Sequence, residues 1–198
     1  MITIEEIRKD WSTLANKITI ARLILSPLPA AIIFVGWDSE PLRWLAVIIF
    51  VLVGSTDILD GYLARSRNEV TNLGKIMDPI VDKFLILTPL VTMSFIEPSN
   101  KLILGVTIII AIREISVTFM RARAKKRGVI ISANLSGKIK MVCQFIAVSM
   151  LLMPPLSDTF NAVIIAVLIV TIWTTMSSWA VYIAKYSENS SEQSPDEK

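Results

Sequence analysis

No histidine occurs in this sequence, and cysteine appears once, as Cys143. A single thiol excludes an intramolecular disulfide framework. The missing imidazoles exclude zinc sites of Cys/His type and any triad built on histidine. Charge is scarce as well: charged residues are 19% of the chain, against about 25% in a typical soluble domain. That is too little to cover a water-facing surface. The chemistry still open must use carboxylates, hydroxyls, lysine, arginine or a metal ion held by oxygen. What abounds is apolar, with 53% hydrophobic residues among 198 and a mean hydropathy of +0.60. The net charge of +3 is modest, so the distribution of charge matters more than its sum. The composition places the chain in lipid, and nothing in it calls for a nucleic acid.

Charge-free stretches run over residues 23–37, 44–56, 84–96, 102–112, 141–157 and 159–184. Only the last exceeds the roughly 20 residues that a bilayer-crossing helix requires. The others become spans only if they absorb ionisable residues at one end. The pattern predicts an all-α integral membrane bundle of six transmembrane helices over residues 1–186, with both ends in the cytoplasm. Basic residues support that orientation. Arg8, Lys9, Lys17, Arg65, Arg67, Lys75, Arg121, Arg123, Lys125, Lys126, Arg127, Lys138, Lys140 and Lys185 fall inside, while only Arg43 and Lys101 fall outside, as the positive-inside rule requires. In a bacterium this would be the cytoplasmic membrane.

Two ends flank the bundle. Ile4, Ile7, Trp11, Leu14 and Ile18 recur at spacings of three and four among charged residues, which predicts an amphipathic interfacial helix at about residues 3–15 ahead of the first span. Residues 187–198 are polar and lack aromatics beyond Tyr186, and are expected to form a disordered tail.

The charges that enter the spans gather at one level. Arg22 begins the first span, Asp57 and Asp60 end the second, Asp78 and Asp82 begin the third, Arg113 ends the fourth and Lys138 begins the fifth. Ionisable groups inside a membrane are costly and mark function. Residues three or four apart share a helix face, so each aspartate pair points one way, and a short loop lets the pairs face each other. Four unneutralised carboxylates so close would repel strongly. Oxygen-only ligands select hard ions, here Mg²⁺ or Mn²⁺, and two such ions about 4 Å apart clamp both oxygens of a phosphoryl transfer. Ordinary ion pairing with Arg65, Lys75 and Lys83 is the plainer alternative. Small residues nearby, Gly61, Ala64 and Gly74, suit close approach of a ligand or of a neighbouring helix. Pro79 is expected to kink the third span.

The string from Asp57 to Asp82 reads D-x2-D-G-x2-A-R-x8-G-x3-D-x3-D. It resembles the signature of the CDP-alcohol phosphotransferases, with Asp57, Asp60, Gly61, Ala64, Arg65, Gly74, Asp78 and Asp82 at the fixed positions. The resemblance implies six membrane helices, a homodimer and a cytoplasm-facing site with two divalent cations, where an alcohol displaces CMP from a CDP-linked substrate. It implies that Asp57, Asp60, Asp78 and Asp82 bind the metals, that Asp82 is also the catalytic base, and that Gly61, Ala64, Arg65 and Gly74 line the CDP pocket.

A second stretch, R-E-I-S-V-T-F-M-R from Arg113 and S-G-K-I-K-M-V-C-Q to Gln144, is similar to the phosphatidylglycerophosphate-synthase branch of that family. So is the opening N-K-I-T-I-A-R-L-I-L-S-P; Met141 departs from the common pattern. The resemblance implies CDP-diacylglycerol as donor and glycerol 3-phosphate as acceptor. A phosphorylated acceptor needs fixed cationic donors, and Arg113, Arg121 and Lys138 lie at the right level to supply them. The remaining basic cluster, Arg123 to Arg127, suits lipid headgroups. Phosphatidylinositol-phosphate synthase is the alternative within the family. A cation-coupled transporter would instead place its acids near the bilayer midplane.

Overall fold

The computed structural model describes residues 14–66, 72–126 and 135–192, with side chains over 16–56, 77–124 and 137–187. Seven helices are described: α1 (Leu14–Leu25), α2 (Leu28–Gly36), α3 (Glu40–Ser66), α4 (Asn72–Ile96), α5 (Lys101–Lys126), α6 (Leu135–Leu152) and α7 (Asp158–Glu192). The amphipathic segment expected at 3–15 lies outside the described residues, apart from the start of α1. Among the described residues four stretches are long and apolar enough to cross a membrane: Asn16–Gly36, Met77–Ile96, Lys101–Ala124 and Asp158–Ser187. Large apolar side chains point outward along them, among them Val35 at 84%, Phe95 at 76% and Trp173 at 74% exposure. Such faces are stable in lipid and costly in water. The protein is an integral membrane protein.

The first of these spans is divided. Pro27 has no N–H to donate to the carbonyl of Leu23, so α1 stops there. The Ser26 hydroxyl takes over that role and donates to Leu23 O at 3.0 Å. The Ser26 carbonyl accepts the Thr88 hydroxyl of α4 at 3.4 Å. Backbone groups freed by the break are thus met inside the protein, as a membrane interior demands. Beyond Pro27 the chain resumes as α2, with Ala31 N–H donating to Pro27 O at 3.0 Å. By contrast α4 continues unbroken through Pro79 and Pro89.

The helices form two compact units. One contains residues 1–100 together with 148–156. Within it α1 packs on α3 and α4, and α2 packs on both as well. Ile33, Phe50, Val81, Leu90 and Met93 are wholly buried. The turn from α2 to α3 is tight: Ser39 N–H donates to Gly36 O at 3.0 Å, and a Cβ on Gly36 would meet the Leu42 side chain at 2.2 Å. Only glycine leaves room for that approach.

The same unit is fastened at one end by Arg43. Its guanidinium donates to Leu152 O and Leu151 O, each at 3.1 Å, and to Met153 O. These are the orphan carbonyls at the C-terminus of α6, where a cation also meets the negative end of the helix dipole. The guanidinium stacks 4.1 Å from the Trp37 ring centroid. Trp37 Nε1 in turn donates to Glu97 Oε1 at 2.9 Å.

The other unit holds residues 101–147 and 157–198. Here α5 packs on α7. Ser157 caps α7 by accepting the Phe160 N–H at 3.1 Å. The helix then runs through Glu192, so residues 187–192 continue it where a disordered tail was expected. An established helix extends through serine and glutamate at little further cost. Residues 193–198 lie outside the described ones.

Arg43→Lys keeps the charge but loses the planar fork and the stacking. It should lower stability by roughly 2 kcal/mol, measured by denaturant unfolding in detergent micelles.

Candidate functional site

The first unit places polar side chains where an apolar face would be ordinary. Asn16, Thr19 and Arg22 are all buried on one stripe of α1, and Ser26, just past its end, is buried too. Ile24 and Leu25 of the same helix are exposed. This helix is polar inward and apolar outward, the arrangement of a span that lines a site within lipid.

The stripe meets the acids of α4. Thr19 Oγ1 donates to Asp78 Oδ1 at 3.3 Å. Arg22 Nη1 lies 3.6 Å from Asp82 Oδ1, and Nη2 lies 4.0 Å from Asp78 Oδ1. The Arg22 side chain is 0% exposed, while those of Asp78 and Asp82 are 47% and 25% exposed. Two carboxylates on successive turns of α4 therefore share one guanidinium on their inner side and are partly exposed on the other. Their oxygens, with no thiolate or imidazole beside them, suit a hard divalent cation.

Asp57, Asp60, Gly61, Ala64 and Arg65 fall within α3, and Gly74 falls within α4; their side chains lie outside the described residues. Among the described residues no group of three acidic, histidine or cysteine side chains converges on a metal position. The described half of the quartet is Asp78 with Asp82.

In the second unit a cluster of charge is buried. Glu114 is salt-bridged to Arg113 at 3.0 Å and to Lys140. Arg113 Nη2 also donates to Ser178 Oγ at 2.8 Å. All three charged residues are buried, so among the described residues two cations face one carboxylate and the cluster carries a surplus positive charge. Among the described residues Arg113 Nε is buried without a hydrogen-bond partner. Arg121 is exposed but held, with Nε donating to Tyr182 OH at 2.7 Å. Lys138 is exposed.

Helix α7 supports this cluster with a polar stripe of its own. Thr171, Thr175, Ser178 and Tyr182 are buried at spacings of three and four. Thr171 Oγ1 donates to Cys143 O at 3.2 Å, and Gln144 Nε2 donates to Thr175 Oγ1 at 3.3 Å. Small hydroxyl residues of this kind join helices where lipid gives no hydrophobic drive.

Sequence reasoning placed Arg22 in the layer of charge and singled out Arg113, Arg121 and Lys138, but gave no role to Thr19 in the first unit or to Glu114, Lys140 and Ser178 in the second. A signal existed for Arg22, the one charged residue between Lys17 and Asp38. For Ser178 nothing in the local pattern separates it from the other hydroxyls of α7.

Known proteins match most of this chain. A family model described as CDP-alcohol phosphatidyltransferase matches residues 12–179. The CDP-diacylglycerol–glycerol-3-phosphate 3-phosphatidyltransferase of Bacillus subtilis is 35% identical over 182 residues, covering 85% of this chain and 93% of that protein. The protein of the same name from Rickettsia typhi is 33% identical over 140 residues, covering 71% of this chain and 76% of that one.

Removing one member of a buried ion cluster strands the others. Glu114→Gln should therefore cost about 3 kcal/mol or more, read as a lowered unfolding temperature. Glu114→Gln combined with Lys140→Met should recover part of that loss.

Proposed function

The chain belongs to the CDP-alcohol phosphatidyltransferase family, and we propose that it transfers the phosphatidyl group of CDP-diacylglycerol to sn-glycerol 3-phosphate, releasing CMP and forming phosphatidylglycerophosphate. The observation that carries this reading is the 35% identity, across 93% of its length, to a relative named for that reaction.

In this reading Asp57, Asp60, Asp78 and Asp82 hold two divalent cations, Mg²⁺ or Mn²⁺. When bound, these ions neutralise the diphosphate and stabilise the charge that spreads over the transferring group. The oxygen-only donors and partly exposed side chains of Asp78 and Asp82 support the assignment. Gly61, Ala64 and Gly74 let the CDP moiety approach the backbone, and Arg65 meets its charge. Asp82 takes the proton of the acceptor's 1-hydroxyl as that oxygen attacks the β-phosphorus; the bond to CMP breaks, and CMP leaves with the electron pair. Arg113, Arg121 and Lys138 bind the acceptor's phosphate. The surplus positive charge buried around Arg113 supports an anion there.

α3, with 27 residues, and α6, with 18, add two spans to the four apolar ones. The six-span chain keeps both ends and the site at the cytoplasmic face, with the interfacial helix at about residues 3–15 ahead of it. The acyl chains of the donor stay in lipid while its headgroup enters. As the family resemblance implies, the working unit is a homodimer.

A CMP-release assay on the purified protein tests the acceptor. With CDP-diacylglycerol as donor, glycerol 3-phosphate should support turnover at least tenfold faster than inositol phosphate, serine or phosphatidylglycerol; a faster rate with another acceptor reassigns the substrate. Asp82→Asn should lower kcat on the order of 10³-fold in a protein that still unfolds cooperatively. Near-normal CMP release by that variant would show that the base is another group.

A further inference from the structure

Among the described residues Arg22 is the largest side chain that is fully buried. A cation in such a place persists only against negative charge. Its two terminal nitrogens face different carboxylates, Asp82 at 3.6 Å and Asp78 at 4.0 Å. Both separations exceed the roughly 2.7–2.9 Å of a short charged hydrogen bond. The guanidinium sits on the buried side of both acids, whose side chains stay partly exposed on the other. Thr19, three residues earlier on the same stripe, donates to the same oxygen of Asp78 that Arg22 faces.

We propose that Arg22 is a positioning residue of the cation site: it is the resident counter-ion that keeps Asp78 and Asp82 aligned before divalent ions arrive, and it limits how tightly those ions bind. The inference rests on the reading of Asp78 and Asp82 as metal ligands. Like charges one turn apart on α4 repel, and a planar fork reaching both offsets that repulsion; the compact ammonium of lysine reaches them less well. A divalent ion held on the exposed side of the two acids lies across them from a fixed positive charge. The charge product of guanidinium with a divalent ion is twice that of guanidinium with a carboxylate, which offsets the greater separation. In this proposal that repulsion outweighs the benefit of prealigned ligands. The protein that results holds its ions loosely until an anionic diphosphate arrives to share them.

The test uses the full chain in lipid nanodiscs, with Mn²⁺ binding read by electron paramagnetic resonance and stability by thermal unfolding in EDTA and in Mn²⁺. Arg22→Met should bind Mn²⁺ at least tenfold more tightly than the wild type. It should unfold at lower temperature in EDTA and gain more from added Mn²⁺. Arg22→Lys should stay within about threefold of the wild-type affinity, since it keeps the charge. Equal or weaker Mn²⁺ binding by Arg22→Met overturns the proposal. Should Arg22→Met fail to fold without metal, the pair variant Arg22→Met with Asp78→Asn removes both charges together. It should be more stable in EDTA than either single variant, and simple additivity overturns the proposal. A wild type that binds no Mn²⁺ while still releasing CMP sinks the metal-ligand reading beneath it. A wild type that binds Mn²⁺, with Arg22→Met unchanged, sinks the role of Arg22 alone.

Discussion

An ionised group in a membrane interior must find its counter-charge within the protein, because no water is there to solvate it. The described structure is organised around that constraint. Arg22 is sealed from solvent between Asp78 and Asp82. Glu114 is buried between Arg113 and Lys140. Each arrangement joins residues from different helices, so the pairing of charge is also what fixes which helices adjoin. α1 and α7 serve the same end with uncharged groups. Both turn a stripe of hydroxyl or amide side chains inward and leave their apolar residues to the lipid.

The class of the protein could be read from composition, since a chain with so few charges cannot clothe itself for water. The acid pair on α4 was also legible, because its spacing of four residues is a local property of a helix. The rest depended on contacts between residues far apart in sequence. Lys138 and Lys140 look equivalent on paper, yet two residues along a helix turn a side chain to the opposite side, and Glu114, 26 positions away, selects Lys140. The division of the first span at Pro27 was hidden because Ser26 and Thr88 absorb its cost. Arg43, expected as a loop charge, finds its partners more than a hundred residues downstream, at the end of α6.

Regular helices suit chemistry of this kind. Asp78 and Asp82 hold their relative place through the backbone of α4, and Arg22 holds its own through α1, so little of the alignment is left to loops. The exposed sides of the two acids and the buried guanidinium behind them give this part of the site a front and a back.

The adjacency of Arg113 and Glu114 bears on how the protein is made. A nascent chain enters the bilayer segment by segment, before later helices exist to neutralise it. Because these two opposite charges are chain neighbours in contact at 3.0 Å, α5 brings its own compensation through the insertion machinery and pairs this arginine before α6 has been synthesised. Lys140 follows afterwards and meets an acid already in place.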